Sequence, residues 1–476
     1  MRTLRRACRI ATTCRIVLAI GAGLSGALAA GAGTTAHSEP PAPRRVCIGH
    51  GSGYLRYADA QATLKLQPGD TLYVNPGAYS GLSLGNLSGT AACPITVKCD
   101  PQAVFTTVVP QVNEFPNVAH VRFENFRFET YKSTCMKITG HSHDLLFRNF
   151  NVKDASGYSF HVYDPAKVFD GSRESTFYNF KWENVVVDGK TDGAAISNSN
   201  YSLSNMISVV LDFEVCRCTF RHFDNRVQAF PVIDLLRCFN LHVHECNFSD
   251  MGMADSPIGH NVCIALAGYV RAYGNRFTRQ WANDVRVWPM KLNALGYNGP
   301  QAVNRFYNNI SWEKRKYPMY EHNHVQQADI DKSAGYLSRT ASEICFNTLY
   351  RSRKAASSKD PYCATLVDVY GPDVTIKHNL IIEPEADVPL DPKHNYVYHL
   401  GAGPQTGLTV ANNLVFRTWD EAGLVDTKTF MPSKTSPVLD AATGRIDYIT
   451  RDFYNHERYV GTAADVGAVE RQNTAE

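Results

Sequence analysis

Between Trp281 and Gly299 the chain reads WANDVRVWPMKLNALGYNG. Asp284 and Arg286 stand two residues apart, and Lys291 follows just past Pro289. A strand buried on both faces does not tolerate three such charges. A strand with one face open to an acidic polymer can use them. A uronic acid carries a weakly acidic proton beside its carboxylate, and removing it builds negative charge toward an enediolate. That charge needs a cation, either a metal or an Arg/Lys group. The proton needs a base and the leaving oxygen an acid. Lys291 suits the base if burial and neighbouring cations lower its pKa. Arg286 suits the neutraliser through its two-pronged pairing with carboxylates. The segment YEHNH supplies Tyr320 or His322 as proton donor. Asp284, Trp288, Glu321 and His324, with His260 and Asn261 from MADSPIGHNVCIAL, complete the patch as substrate-binding groups. Plainer readings exist for each: Asp284 and Arg286 as an exposed same-face pair worth little, Lys291 as a solvated loop lysine, His322 and His324 as surface histidines.

These segments can meet only if the chain repeats. Short β-rich runs ending in asparagine recur, among them VRFENFRF at Val121, LLFRNFNV at Leu145, FKWENVVV at Phe180, RFYNNISW at Arg305, TIKHNLII at Thr375 and TVANNLVF at Thr409. The recurring positions are Asn125, Asn149, Asn184, Thr219, Asn247, Asn275, Asn309, Asn347, Asn379 and Asn413. Their spacing, from the mid-twenties to the high thirties, suits one coil of three strands with or without a loop insertion. Such strands cannot bury their inner faces alone, and stacking coil on coil gives a continuous core. Asparagine tolerates the left-handed backbone of a tight turn, and its amide can bond to the asparagine of the next coil. Cys218 and Cys246 fall one repeat apart, each just before the turn residue, and are expected to stack inward as small hydrophobes, with a disulfide across neighbouring coils as the alternative.

The stretch QPGDTLYVNPGAYSGLSL followed by SGTAACPITVKCDPQAVF resembles the first coil and cap of secreted lyases of the pectate lyase superfamily related to chondroitinase B and alginate lyase. The closing SPVLDAATGRIDY and TAADVGAVE resemble the tail of such proteins. The resemblance implies an all-β, single-stranded, right-handed parallel β-helix of about ten or more coils, with an N-terminal cap and a C-terminal tail. In that family two carboxylates two apart bind calcium and a lysine base follows. Here Asp284 matches the first carboxylate and Lys291 the base, but Arg286 stands in place of the second. Calcium is therefore the one cofactor the resemblance admits, with Asp284 and Asn261 as its ligands, and Arg286 stands against it.

The first residues carry five arginines and no acid, then an apolar run from Ile16 to Ala30. This is the layout of a signal peptide over residues 1–30. A linker over 31–45, a β-helix over 46–430 and a tail over 431–476 follow. The expected location is secreted or periplasmic. No later segment is apolar and long enough to span a membrane as a helix. The formal charge of +3 becomes −2 without those arginines, which gives no reason to expect a nucleic-acid partner. An anionic polysaccharide is the expected partner, bound by a monomer. Of thirteen cysteines, Cys47, Cys93 and Cys99 are placed to staple an N-terminal cap. The leading expectation is a polysaccharide lyase acting by β-elimination. Its rivals are a glycoside hydrolase, a uronate epimerase sharing the first step, and a non-catalytic glycan-binding or adhesion protein.

Overall fold

A computed structural model describes residues 42–472, apart from 108–111, 191–192, 199–205, 224–230, 253–261, 282, 289, 291–302, 315–317, 324–330, 332–338, 353–364, 386–391 and 402–405. The expected signal peptide and most of the linker lie outside the described residues.

The chain winds as a parallel β-helix. Among the described residues, one wall is a sheet of thirteen strands from Ser52–Tyr57 to Leu414–Phe416, each paired in parallel with its counterpart one coil away. A second sheet, of twenty-two described strands, forms in two runs, one of longer strands and one of short ones. The runs fuse in two coils. Strands Ile233–His244 and Ile264–Tyr273 pair through their first halves with the short run and through their second halves with the long run. The bend inside the second of them needs Gly268, at φ +140°, because a Cβ there would meet the Cys238 carbonyl oxygen at 1.8 Å.

Period-two alternation decides which side chains enter the interior. Val97, Phe123, Phe147, Trp182, Val215 and Val243 are register partners on successive coils and all are buried. On the facing wall Phe220, Phe248 and Phe277 stack at 5.0 Å spacings. Each such column buries apolar surface that no single coil could cover.

The asparagine repeat resolves into two adjacent columns. Asn125, Asn149 and Asn184 are left-handed turn residues, with φ of 64°, 58° and 54°. The same turn position is then held by Arg217, Glu245, Gly274, Asn308, Phe346, His378 and Asn412. The inward ladder stands one residue later. There the N–H of Asn275 donates to Asn309 Oδ1 (3.0 Å), that of Asn309 to Asn347 (3.0 Å), Asn347 to Asn379 (2.9 Å) and Asn379 to Asn413 (3.0 Å). Cys218 and Cys246 occupy this ladder position, not one before it. The Cys218 N–H donates to Cys246 Sγ (3.4 Å) and the Cys246 N–H to Asn275 Oδ1 (3.0 Å). Thr219 and Asn247 instead begin the next strands, Thr219–Phe223 and Asn247–Met251. Cys47, Cys93 and Cys99 are free thiols and do not staple the cap, and Cys218 and Cys246 are not joined by a disulfide.

After Phe416 the chain turns through a short helix, Trp419–Ala422, closed by a Thr418–Glu421 capping box and by Gly423 at φ 62°. The following residues lie along the solenoid, with Phe430, Val438, Ile449 and Val466 against Ile310, Phe346, Tyr350 and Ile382. Arg458 is fully buried in this seam and donates to Asn308 Oδ1 (2.7 Å) and the Ala468 carbonyl (2.7 Å).

Candidate functional site

The short run of the larger sheet brings charged residues into one outward column. Register pairs Lys137 with His161, His161 with Ser197, Ser197 with Asp234, and Asp234 with Ala265. The column goes on through Arg286, Glu321, Asp368 and His399. Neighbours stand one strand spacing apart, about 4.8 Å. The pattern that makes this possible is a charge set between inward residues: Val285-Arg286-Val287, Tyr320-Glu321-His322, Val367-Asp368-Val369.

One ion pair and one histidine–carboxylate contact occupy the C-terminal end. Arg286 Nε donates to Glu321 Oε2 (2.6 Å) and Arg286 Nη2 to Asn283 Oδ1 (3.1 Å), while the guanidinium carbon lies 5.9 Å from the Trp288 ring centroid. Asp368 Oδ1 and His399 Nδ1 are 2.8 Å apart. Four successive coils thus present a cation, two carboxylates and an imidazole. Toward the other end Asp234 and Arg237 are both buried. Burial lifts the Asp234 carboxyl to about 7 although Arg237 pulls it down, and burial lowers the Arg237 guanidinium to about 10.

Of the residues read from sequence, Arg286, Trp288 and Glu321 share this outer face. Tyr320 and His322 do not. They flank Glu321 on its strand, so alternation sends both inward, where each is 0 % exposed. The Tyr320 hydroxyl and His322 Nδ1 both reach Ser342 Oγ, at 3.0 and 2.7 Å. Burial pushes the Tyr320 phenol up and the His322 imidazole down to about 3. Neither can deliver a proton to a ligand on the outer face, so the expected proton donor is corrected.

Asp284 is also sealed inside. Its Oδ1 accepts from Lys314 Nζ at 2.8 Å, with both side chains fully buried. Burial raises its carboxyl and Lys314 opposes the rise. A carboxylate so enclosed and already paired does not fit a calcium ion or a substrate, which removes Asp284 from both expected roles. Lys291, His324, His260 and Asn261 lie outside the described residues. Asp234, Arg237, Asp368 and His399 were not singled out from sequence. The valine-flanked charge in VDVYG, a match to VRVW, was the available signal for Asp368.

The buried imidazole has a measurable consequence. Because His322 titrates near 3 when folded and near 6.5 when unfolded, the unfolded chain binds more protons between those values. Its contribution to stability is whole above about pH 6.5 and is lost as pH falls toward 3. Denaturant unfolding at neutral pH and near pH 5 should show the wild type losing roughly 2 kcal/mol more than His322→Gln. Parallel losses in the two proteins would contradict this.

No protein-family model matches the chain, and no curated protein matches it. Among solved structures, it is similar to pectate lyase Pel9A, with a TM-score of 0.41 and 12% identity over 89% of this chain and 98% of that one. It is similar to the PL6 family polysaccharide lyase Pedsa3628 from Pseudopedobacter saltans, with a TM-score of 0.40 and 11% identity over 81% and 96%. It is similar also to the Streptococcus pneumoniae surface protein and adhesin PfbA, with a TM-score of 0.39 and 9% identity over 73% and 89%. With all three below a TM-score of 0.5, the β-helix rests on the ladders described above and the chemistry on the residues of the outer face.

Proposed function

We propose that the protein is a secreted polysaccharide lyase that cleaves a uronate-containing glycan by β-elimination on this outer face. The observation that supports it is Arg286: a guanidinium on the outer face, beside Trp288, held by a single carboxylate one coil away. A uronate carboxylate competes with Glu321 for that fork and takes its place. Arg286 then neutralises the charge that builds as the adjacent proton leaves. Lys291, five residues on in the same segment, is the base. The electron pair left on carbon forms the double bond, and the bond to the leaving sugar oxygen breaks. That oxygen takes its proton from water on the open face, because Tyr320 and His322 point inward and His399 stands three coils, roughly 14 Å, from Arg286. Asp284 being enclosed, charge neutralisation is assigned to Arg286 and no step is given to calcium. Export is assigned to the arginine-led apolar segment at the N-terminus.

A second reading has one observation in its favour. Glu321 and Asp368 are register partners on adjacent coils, and two carboxylates across one bond are what a glycoside hydrolase needs. One experiment separates the readings. The purified protein is incubated with polygalacturonate, alginate, chondroitin and hyaluronan, while ultraviolet absorbance and new reducing ends are followed together. The lyase gives both, because each cut leaves a conjugated unsaturated uronate. Reducing ends without absorbance would favour the hydrolase, and neither signal on any polymer would leave an epimerase, recognised by the changed uronate composition of the polymer, or a binding protein.

A further inference from the structure

On the long-strand run of the same sheet, apart from the column described above, two histidines and an aspartate converge. We propose that His120, His143 and Asp144 form a binding site for a divalent transition metal ion of the zinc type, with one coordination position open to water. The donor atoms come from two adjacent coils, and all lie within 4.8 Å of one another. His143 Nδ1 is 2.6 Å and His120 Nδ1 3.7 Å from the same oxygen, Asp144 Oδ2. Small rotations of the side chains bring three such donors to the 2.0–2.2 Å bonds that zinc makes with imidazole and carboxylate. Each side chain is about a quarter exposed, at 26%, 25% and 27%, so an ion can reach them and keep a water.

The surroundings fix the donors one by one. Arg173 Nη2 donates to Asn179 Oδ1 (2.9 Å), which turns the Asn179 amide nitrogen the other way. That nitrogen donates to Asp144 Oδ1 (2.6 Å) and leaves Oδ2 to face the histidines. A carboxylate oriented from behind by a hydrogen bond is the usual support of a metal ligand. Tyr178 lies against the His143 ring with centroids 4.6 Å apart and planes 10° from parallel, which holds the imidazole. Two imidazoles and one carboxylate favour zinc, cobalt, nickel or copper over calcium or magnesium. The other cluster with metal-binding side chains among the described residues, Glu214, Cys216 and His244, is poorer: Lys181 Nζ already holds Glu214 at 2.8 Å, and the cation would repel an ion.

The test uses the untagged, chelator-stripped protein, titrated with Zn²⁺ in a calorimeter and with Co²⁺ in a visible spectrometer. One equivalent is expected to bind with micromolar affinity or tighter, and the cobalt form should show ligand-field bands without a thiolate charge-transfer band. His143→Phe keeps a ring against Tyr178, and His120→Asn keeps a residue that accepts the left-handed backbone at φ 51°. Each should weaken binding tenfold or more, and Asn179→Ala by about 10–100-fold. Cys216→Ser should change nothing. Failure to bind one equivalent, binding untouched by both histidine changes, or a thiolate band lost in Cys216→Ser would each overturn the proposal.

Discussion

Replacing Arg286 with Ala is expected to lower kcat on the responsive polymer by about 10²–10³, the usual loss when one preorganised group facing developing charge is removed. The guanidinium is the one described cation of the Arg286–His399 stretch of the column, and its carboxylate partner stands on the next coil. The substitution also leaves Glu321, only 4 % exposed, without that partner. Breaking such a pair costs on the order of 3–5 kcal/mol when fully buried and less at this site's edge. A fall in activity must therefore be separated from a fall in folded protein. Arg286→Lys serves for that. It keeps the charge and satisfies Glu321 but loses the fork, so it should fold normally and still lose about tenfold or more in turnover. Initial rates with circular dichroism on the same samples check both. A folded Arg286→Ala protein with turnover close to wild type would exclude the role given to this residue.

Asn347→Ala is expected to reduce stability by about 3–5 kcal/mol, a loss larger than most single substitutions cause. Its Oδ1 accepts from both the N–H and the amide of Asn309, at 3.0 Å each. Its amide donates to the Phe306 carbonyl (2.9 Å) and to Asn379 Oδ1 (3.0 Å). All of these groups are buried, and Ala leaves several of them without a partner where water does not reach. The ladder also lies between the two ends of the solenoid, so the loss falls on the interface between neighbouring coils. Urea denaturation should show a lower midpoint. A shift worth less than about 1 kcal/mol would mean that the amide ladder contributes little.

The solenoid was legible because its signal is repeated many times. Runs such as LLFRNFNV and TVANNLVF carry inward apolar residues and a turn asparagine in the same order. The repeat was nonetheless read one residue out of step in places. The left-handed turn and the inward ladder are neighbours, and asparagine suits both, so Asn149 and Asn309 looked equivalent: Asn149 shapes an exposed turn and its amide donates to Asn125 Oδ1 (3.3 Å), whereas Asn309 belongs to the buried ladder. The site was legible only in part. Arg286 and Glu321 were read onto one face, where their register pairing puts them, yet Tyr320 and His322 were placed on that face too, against the alternation that Val285-Arg286-Val287 makes plain. The enclosure of Asp284 was beyond reach, since it depends on Lys314 meeting it from thirty residues further along. No local pattern records which of two charged residues a turn folds inward.

The central claim is that Arg286 recognises a substrate carboxylate. It is tested most directly by measuring how wild type and Arg286→Ala bind an acidic oligosaccharide from the responsive polymer, and the same oligosaccharide after its carboxyls are reduced to alcohols. The account predicts that the substitution weakens binding of the acidic form by about tenfold or more and scarcely alters binding of the reduced form. An equal loss on both forms would show that Arg286 does not meet the carboxylate.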